Sequence, residues 1–256
     1  MSVFLIHYLP FLLLTLYAAA ATSFLRERVR GAGALYTIAW GGSLLLFVCN
    51  WTAAQAPPFG NMHHVMCLVP LLMGPAYLYS AKAQGHGWLL PHYAAACILA
   101  LIGAMCMPFQ TSWRQMPALQ SPWFVPHVTA YIVSYGLLTV AAFLALSACW
   151  SRHREARLTR AAHDTVKLAF PLLSFGLWSG AIWADAAWSG YWAWDVKEVW
   201  SLITWALYLG YFHLAHTGAS PHVRRLLLLA AFAALIVTFL VVNLMPGMES
   251  VHSYAQ

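Results

Sequence analysis

The sequence predicts an all-α integral membrane protein with about eight transmembrane helices, and three observations carry that prediction: composition, apolar run length and sidedness of charge. Of 256 residues, 62% are hydrophobic and only 8% charged, where soluble domains carry about 25% charge. Runs of the roughly 20 apolar residues needed to cross a hydrocarbon core fall near 3–24, 34–51, 62–80, 91–107, 124–149, 165–185, 196–215 and 225–245. Of the 13 Lys and Arg residues, 11 flank one set of helix ends (Arg26, Arg28, Arg30, Lys82, Arg152, Arg154, Arg157, Arg160, Lys167, Arg224 and Arg225), and only Arg114 and Lys197 flank the other.

The first run lacks a basic leader and is too long before Arg26 for a cleavable signal peptide, so it is expected to remain as the first helix. Short loops rich in Lys and Arg stay in the cytoplasm. That rule puts the connections after runs one, three, five and seven inside, with both termini and the segments 56–64, 107–122 and 183–200 outside. The net charge of +6 is then a topology signal and implies no nucleic-acid partner. Cys49, Cys67, Cys97, Cys106 and Cys149 form no C-x-x-C pair, so neither a disulfide, a zinc site nor covalent haem attachment is expected. No linker, repeat or composition break divides the chain, which reads as a single polytopic membrane domain, 1–256.

The third external segment, WADAAWSGYWAWDVKEVW at 183–200, lies within a stretch, 178–205, that holds 7 of the 13 tryptophans. Trp commonly collects at membrane interfaces as an aromatic belt. A belt spreads over many helix ends, however, and here Trp183, Trp188, Trp192 and Trp194 crowd into one loop with Asp185 and Asp195. A flat, outward-facing aromatic platform suits a large planar ligand with one polar edge, such as haem or quinone, because rings give contact area at low entropic cost. Asp195 and Glu198 have capping-box spacing ahead of the apolar run that follows. Arg114 and Lys197 could pair with a ligand carboxylate, or Lys197 could simply reach the interface.

Among 12 histidines, His127 at the outer start of helix five and His252 beyond the outer end of helix eight share a membrane side with the tryptophans. Two imidazoles on opposite faces of a macrocycle are a standard way to hold haem iron. His213 sits about 17 residues into helix seven, roughly 25 Å below the outer surface at 1.5 Å per residue. An ionisable group at that depth is a functional candidate. His86, His153, His163, His216 and His222 lie near cytoplasmic ends and are assigned nothing.

The stretch WADAAWSGYWAWDVKEVWSLITW resembles the tryptophan-rich WWD signature of the CcsA/ResC proteins of System II cytochrome c biogenesis. PALQSPWFVPHV before helix five and GMESVHSY after helix eight are similar to the segments around that family's two external histidines. The resemblance spans roughly 56–256 and is strongest over 107–256. It implies that His127 and His252 are external axial ligands of haem iron and that His213 is a transmembrane haem ligand. Trp188, Trp192, Trp194 and Asp195 would shape the haem platform, and haem b would be the transported substrate.

The family moves haem outward and presents it, reduced, to the C-x-x-C-H motif of an apocytochrome c, under the label holocytochrome c synthase or haem lyase. The resemblance therefore implies a bacterial inner membrane location, apocytochrome c as substrate and a CcsB/ResB-like partner protein. No residue is diagnostic of catalysis. One departure is visible: His63 and His64 of GNMHH stand where relatives carry an aromatic and a Glu, and they read as outward-facing interfacial residues or as an added ligand or pH-sensitive group. An exporter that only hands haem to a carrier, like the CcmC proteins, is the alternative function. A subunit of a quinone or cytochrome complex would instead place His pairs on facing helices at matched depth.

Overall fold

The computed structural model describes residues 2–108 and 120–244, so Arg114 and His252 lie outside the described residues. In hydrocarbon every backbone N–H and C=O must be satisfied within the chain, and a helix does so locally. Eight long helices follow the predicted runs in order: α1 Ser2–Leu25, α2 Val29–Ala54, α3 Met62–Lys82, α4 Leu90–Cys106, α5 Phe124–Trp150, α6 Glu155–Trp188, α7 Val196–His216 and α8 Pro221–Ile236. A π turn, Val237–Val241, carries α8 on to Val242–Leu244. No strand occurs among the described residues.

Seven of these helices, all but α7, are long and apolar enough to cross a membrane, and the protein is a multi-pass membrane protein. At 21 residues α7 is long enough, but Lys197 and Glu198 in its first turn and His213 and His216 in its last lower its apolarity. With 34 residues, α6 is about 51 Å long at 1.5 Å per residue, far longer than a hydrocarbon core of about 30 Å. It starts ten residues before the predicted run because charge interrupts an apolar run without interrupting a helix. Its first three turns keep a buried face through Leu158, Ala161, Ala162 and Thr165.

Two compact units make up the chain, Met1–Met116 and Pro117–Gln256. In the first, α1 packs against α2 and α4, and α3 packs against α2 and α4. Asn61 caps α3, its side chain accepting from the His64 amide at 2.8 Å. The cap turns the first helical residues into the unit: His63 is 5% and His64 1% exposed. The His63 Nδ1–H donates to the Ala104 carbonyl of α4 at 2.9 Å. Both histidines are thus buried within this unit, and the expectation that they are ordinary interfacial residues is corrected.

In the second unit α5 packs against α6 and α8, and α7 packs against α8 and α6. Ser134 Oγ of α5 donates to the Ala169 carbonyl of α6 at 3.0 Å. Trp205 Nε1 of α7 donates to Ser174 Oγ of α6 at 2.9 Å, and the hydroxyls of Thr204 and Thr238 join α7 to the π turn at 3.1 Å. Such interhelical bonds contribute about 0.6 kcal/mol each. Together they set which faces of these four helices meet.

Candidate functional site

At the end of the second unit where α5 begins and α6 finishes, His127 lies in the first turn of α5 and meets the last third of α6. Its Nδ1 stands 2.8 Å from the Gly176 carbonyl. A carbonyl only accepts, so Nδ1 carries the proton and the ring's lone pair lies on Nε2. The Trp183 ring lies 5.6 Å from the imidazole with a 32° interplanar angle, and the Tyr131 ring lies 4.9 Å away, edge-on. Trp183 contacts Trp188 at 5.0 Å.

The tryptophan segment is split between helix and linker. Because α6 continues through Trp188, both Trp183 and Trp188 are helical, and Trp183 is only 2% exposed. Ser189 ends α6 in the left-handed region at φ 60°. The short linker that follows carries Tyr191, Trp192 and Trp194 into the Asp195 cap of α7. Trp192 and Trp194 meet at 6.0 Å with an 82° interplanar angle. The four indoles thus form two edge-to-face pairs. Trp194 is 71% exposed, while the Trp192 indole N–H is buried with no acceptor among the described residues.

Trp194 is held at φ 58°, where a bulky L-residue is strained by roughly 1–2 kcal/mol. The hydrogen bonds on either side hold it there. Asp195 Oδ1 accepts from the Glu198 amide at 2.8 Å, and Glu198 Oε2 accepts from the amides of Ala193 at 2.8 Å and Asp195 at 3.3 Å. This is the capping box expected from the spacing, and it extends one residue to grip the linker before Trp194. Lys197 Nζ donates to Asn243 Oδ1 at 2.9 Å, tying α7 to the end of α8.

His213, also in this unit, is exposed in the last turn of α7. It stands eighteen positions after the Asp195 cap, about 27 Å along the helix, at the opposite end of α7 from the tryptophan linker. Among the described residues no three His, Cys, Asp or Glu side chains converge as a metal site. A metal held here would arrive within a ligand that supplies most of its own coordination, as a porphyrin does. The residues fit such a ligand through the Nε2 lone pair of His127 beside an aromatic cluster.

Sequence reasoning missed Gly176, Gly180, Tyr131 and the pairing of His127 with Trp183. The GLWSG spacing of small residues from Gly176 to Gly180 is the signal that marks a close helix contact in membranes.

Residues 3–249 match the family described as cytochrome C assembly protein. The chain is 36% identical over 236 residues to the cytochrome c biogenesis protein CcsA of Chlamydomonas reinhardtii, covering 82% of this chain and 64% of that protein. It is 28% identical over 254 residues to CcsA of Prochlorococcus marinus strain MIT 9303, covering 81% of this chain and 78% of the relative. The chain therefore spans just under two thirds of the algal relative. In fold it is similar to the solved cytochrome c haem lyase CcmF, with a TM-score of 0.70 and 21% identity over 92% of this chain and 45% of that one.

Proposed function

Because the chain belongs to the cytochrome c assembly protein family, we propose that it binds haem b as cargo, moves it to the outer face of a bacterial inner membrane and presents it to apocytochrome c. In this reading His127 and His252 are the axial ligands of the presented haem, and His213 takes part in an earlier, deeper site. Trp188, Trp192, Trp194 and Asp195 border the presented haem, and a CcsB/ResB-like membrane protein completes the complex. The basic residues face the cytoplasm and the tryptophan-rich end faces outward, in accord with the positive-inside rule.

The observation that most supports this is the state of His127. Its proton is committed to the Gly176 carbonyl, which leaves the lone pair on Nε2, the arrangement common to metal-ligating imidazoles. The chain's own contribution is binding and orientation. His127 supplies one axial ligand, the capping box around Asp195 holds Trp194 outward, and Trp183, backed by Trp188, covers one side of the imidazole. Bound haem would bring vinyl groups to which the two thiols of a C-x-x-C-H motif add.

The test is the haem content and visible spectrum of the detergent-solubilised protein, purified with its partner, for the parent chain and for His127→Ala, His252→Ala and His213→Ala. Low-spin b-type haem that changes in the first two variants and returns with added imidazole supports the external pair. Unchanged spectra in all three, or preparations devoid of haem, overturn the assignment.

A further inference from the structure

We infer that Gly180, together with the Gly176 carbonyl, is a positioning element for the proposed haem ligand His127: a glycine seat on α6 that sets the angle and the tautomer of the imidazole. The inference rests on the reading of His127 as a ligand.

His127 and Tyr131 stand one turn apart on α5, as Gly176 and Gly180 do on α6, and the two pairs interlock. A Cβ added to Gly180 would fall 2.5 Å from His127 Cε1 and 2.8 Å from Nδ1. A Cβ added to Gly176 would fall 2.8 Å from Cδ1 of Tyr131. The imidazole therefore lies directly on the Gly180 backbone. Only that closeness brings Nδ1 to 2.8 Å from the carbonyl of Gly176, one turn further back.

The other faces of the ring are also fixed. Tyr131 abuts it edge-on at 4.9 Å and Trp183 leans over it at 5.6 Å, and Trp183 is itself buried against Phe124 and Trp188. Rotation of the imidazole about χ2 would exchange Nδ1 for carbon at the carbonyl and abandon the hydrogen bond. Groups that hold a ligating imidazole by its second nitrogen typically matter about 10–100-fold for metal affinity. A methyl at position 180 should act through the same route, by lifting the ring off its acceptor.

The experiment compares Gly180→Ala, Gly176→Ala, His127→Ala and the double variant His127→Ala/Gly180→Ala in the full chain. Low-spin haem occupancy is read from the visible spectrum, with and without imidazole, beside a thermal unfolding curve for each. Gly180→Ala is expected to weaken low-spin haem binding roughly tenfold, read as lost occupancy at limiting haem, to be rescued by imidazole, and to add nothing once His127 is Ala, since the methyl then meets no ring. Gly176→Ala, whose methyl meets Tyr131, reports the cost of disturbing the same helix contact and should lose less haem. The seat is overturned if Gly180→Ala keeps the parent spectrum while His127→Ala does not, or if it lowers haem equally in both backgrounds. If His127→Ala itself keeps the parent spectrum, the ligand assignment fails and the seat falls with it.

Discussion

Trp40 and Pro75 are coupled through one carbonyl. Pro75, inside α3, has no N–H to give Leu71 four residues back, and the Trp40 indole N–H of α2 donates to that carbonyl instead, at 2.8 Å. Trp40 reaches it because Gly74 leaves room for its ring. A proline costs a helix one backbone bond, and in a membrane the stranded carbonyl must be satisfied from elsewhere.

Trp40→Phe should therefore destabilise the protein in detergent by about 1–3 kcal/mol, the usual cost of a stranded buried acceptor. Adding Pro75→Ala returns a backbone N–H to Leu71, so the double variant should recover part of the loss. Thermal unfolding of the four species forms a cycle; additive effects would show that the two residues act separately.

The cap on α7 separates structure from ligand binding at Asp195. Asn caps as well as Asp, so Asp195→Asn should keep the unfolding midpoint, whereas Asp195→Ala should cost about 1 kcal/mol. Loss of haem in the Asn variant at unchanged stability would assign the carboxylate's charge to the ligand. Retention of haem would leave Asp195 as a cap alone.

At Trp194 the backbone and the side chain make opposite demands. Glycine tolerates φ 58° and alanine does not, so Trp194→Gly should be more stable than Trp194→Ala by about 1 kcal/mol. Both variants lose the exposed ring, and both should bind haem more weakly than the parent. Equal stability of the two would mean that the linker relaxes out of the left-handed region.

Arg225 and Glu155 pair at 2.8 Å, with side chains 14% and 35% exposed. Arg225→Gln should cost about 1 kcal/mol, and because both side chains are partly buried only part of that difference should be screened away between low and molar salt. A loss that salt does not change would indicate that the stem of Arg225 matters through packing.

The eight helices were legible because hydrocarbon sets a length of apolar chain, and that length appears directly as runs. The capping box was legible for a similar reason: Asp195 and Glu198 lie three residues apart, so their hydrogen bonds depend on local geometry alone. The reach of α6 beyond its apolar run was not, since α6 keeps its helix through Arg157 and Arg160.

The environment of each histidine was harder to read. His63 and His64 looked interfacial from their neighbours, yet the Asn61 cap and the Ala104 carbonyl draw them inside the first unit. The site around His127 depends on Gly176, 49 residues away, and on Trp183, which sequence proximity had placed with the linker tryptophans.

What the sequence by itself determined is the class of protein, the order and positions of its membrane helices, the bias of its basic residues and the local cap that shapes the tryptophan linker. The tertiary structure decided which face of each helix meets which neighbour, and so the burial of His63 and His64, the tautomer of His127 and the seat beneath it. The physical reason is the solvent. In water an amphipathic stripe announces the buried face of a helix, but lipid and protein interior are equally apolar. Helix pairing then depends on small residues and single hydrogen bonds, whose partners the one-dimensional pattern does not name.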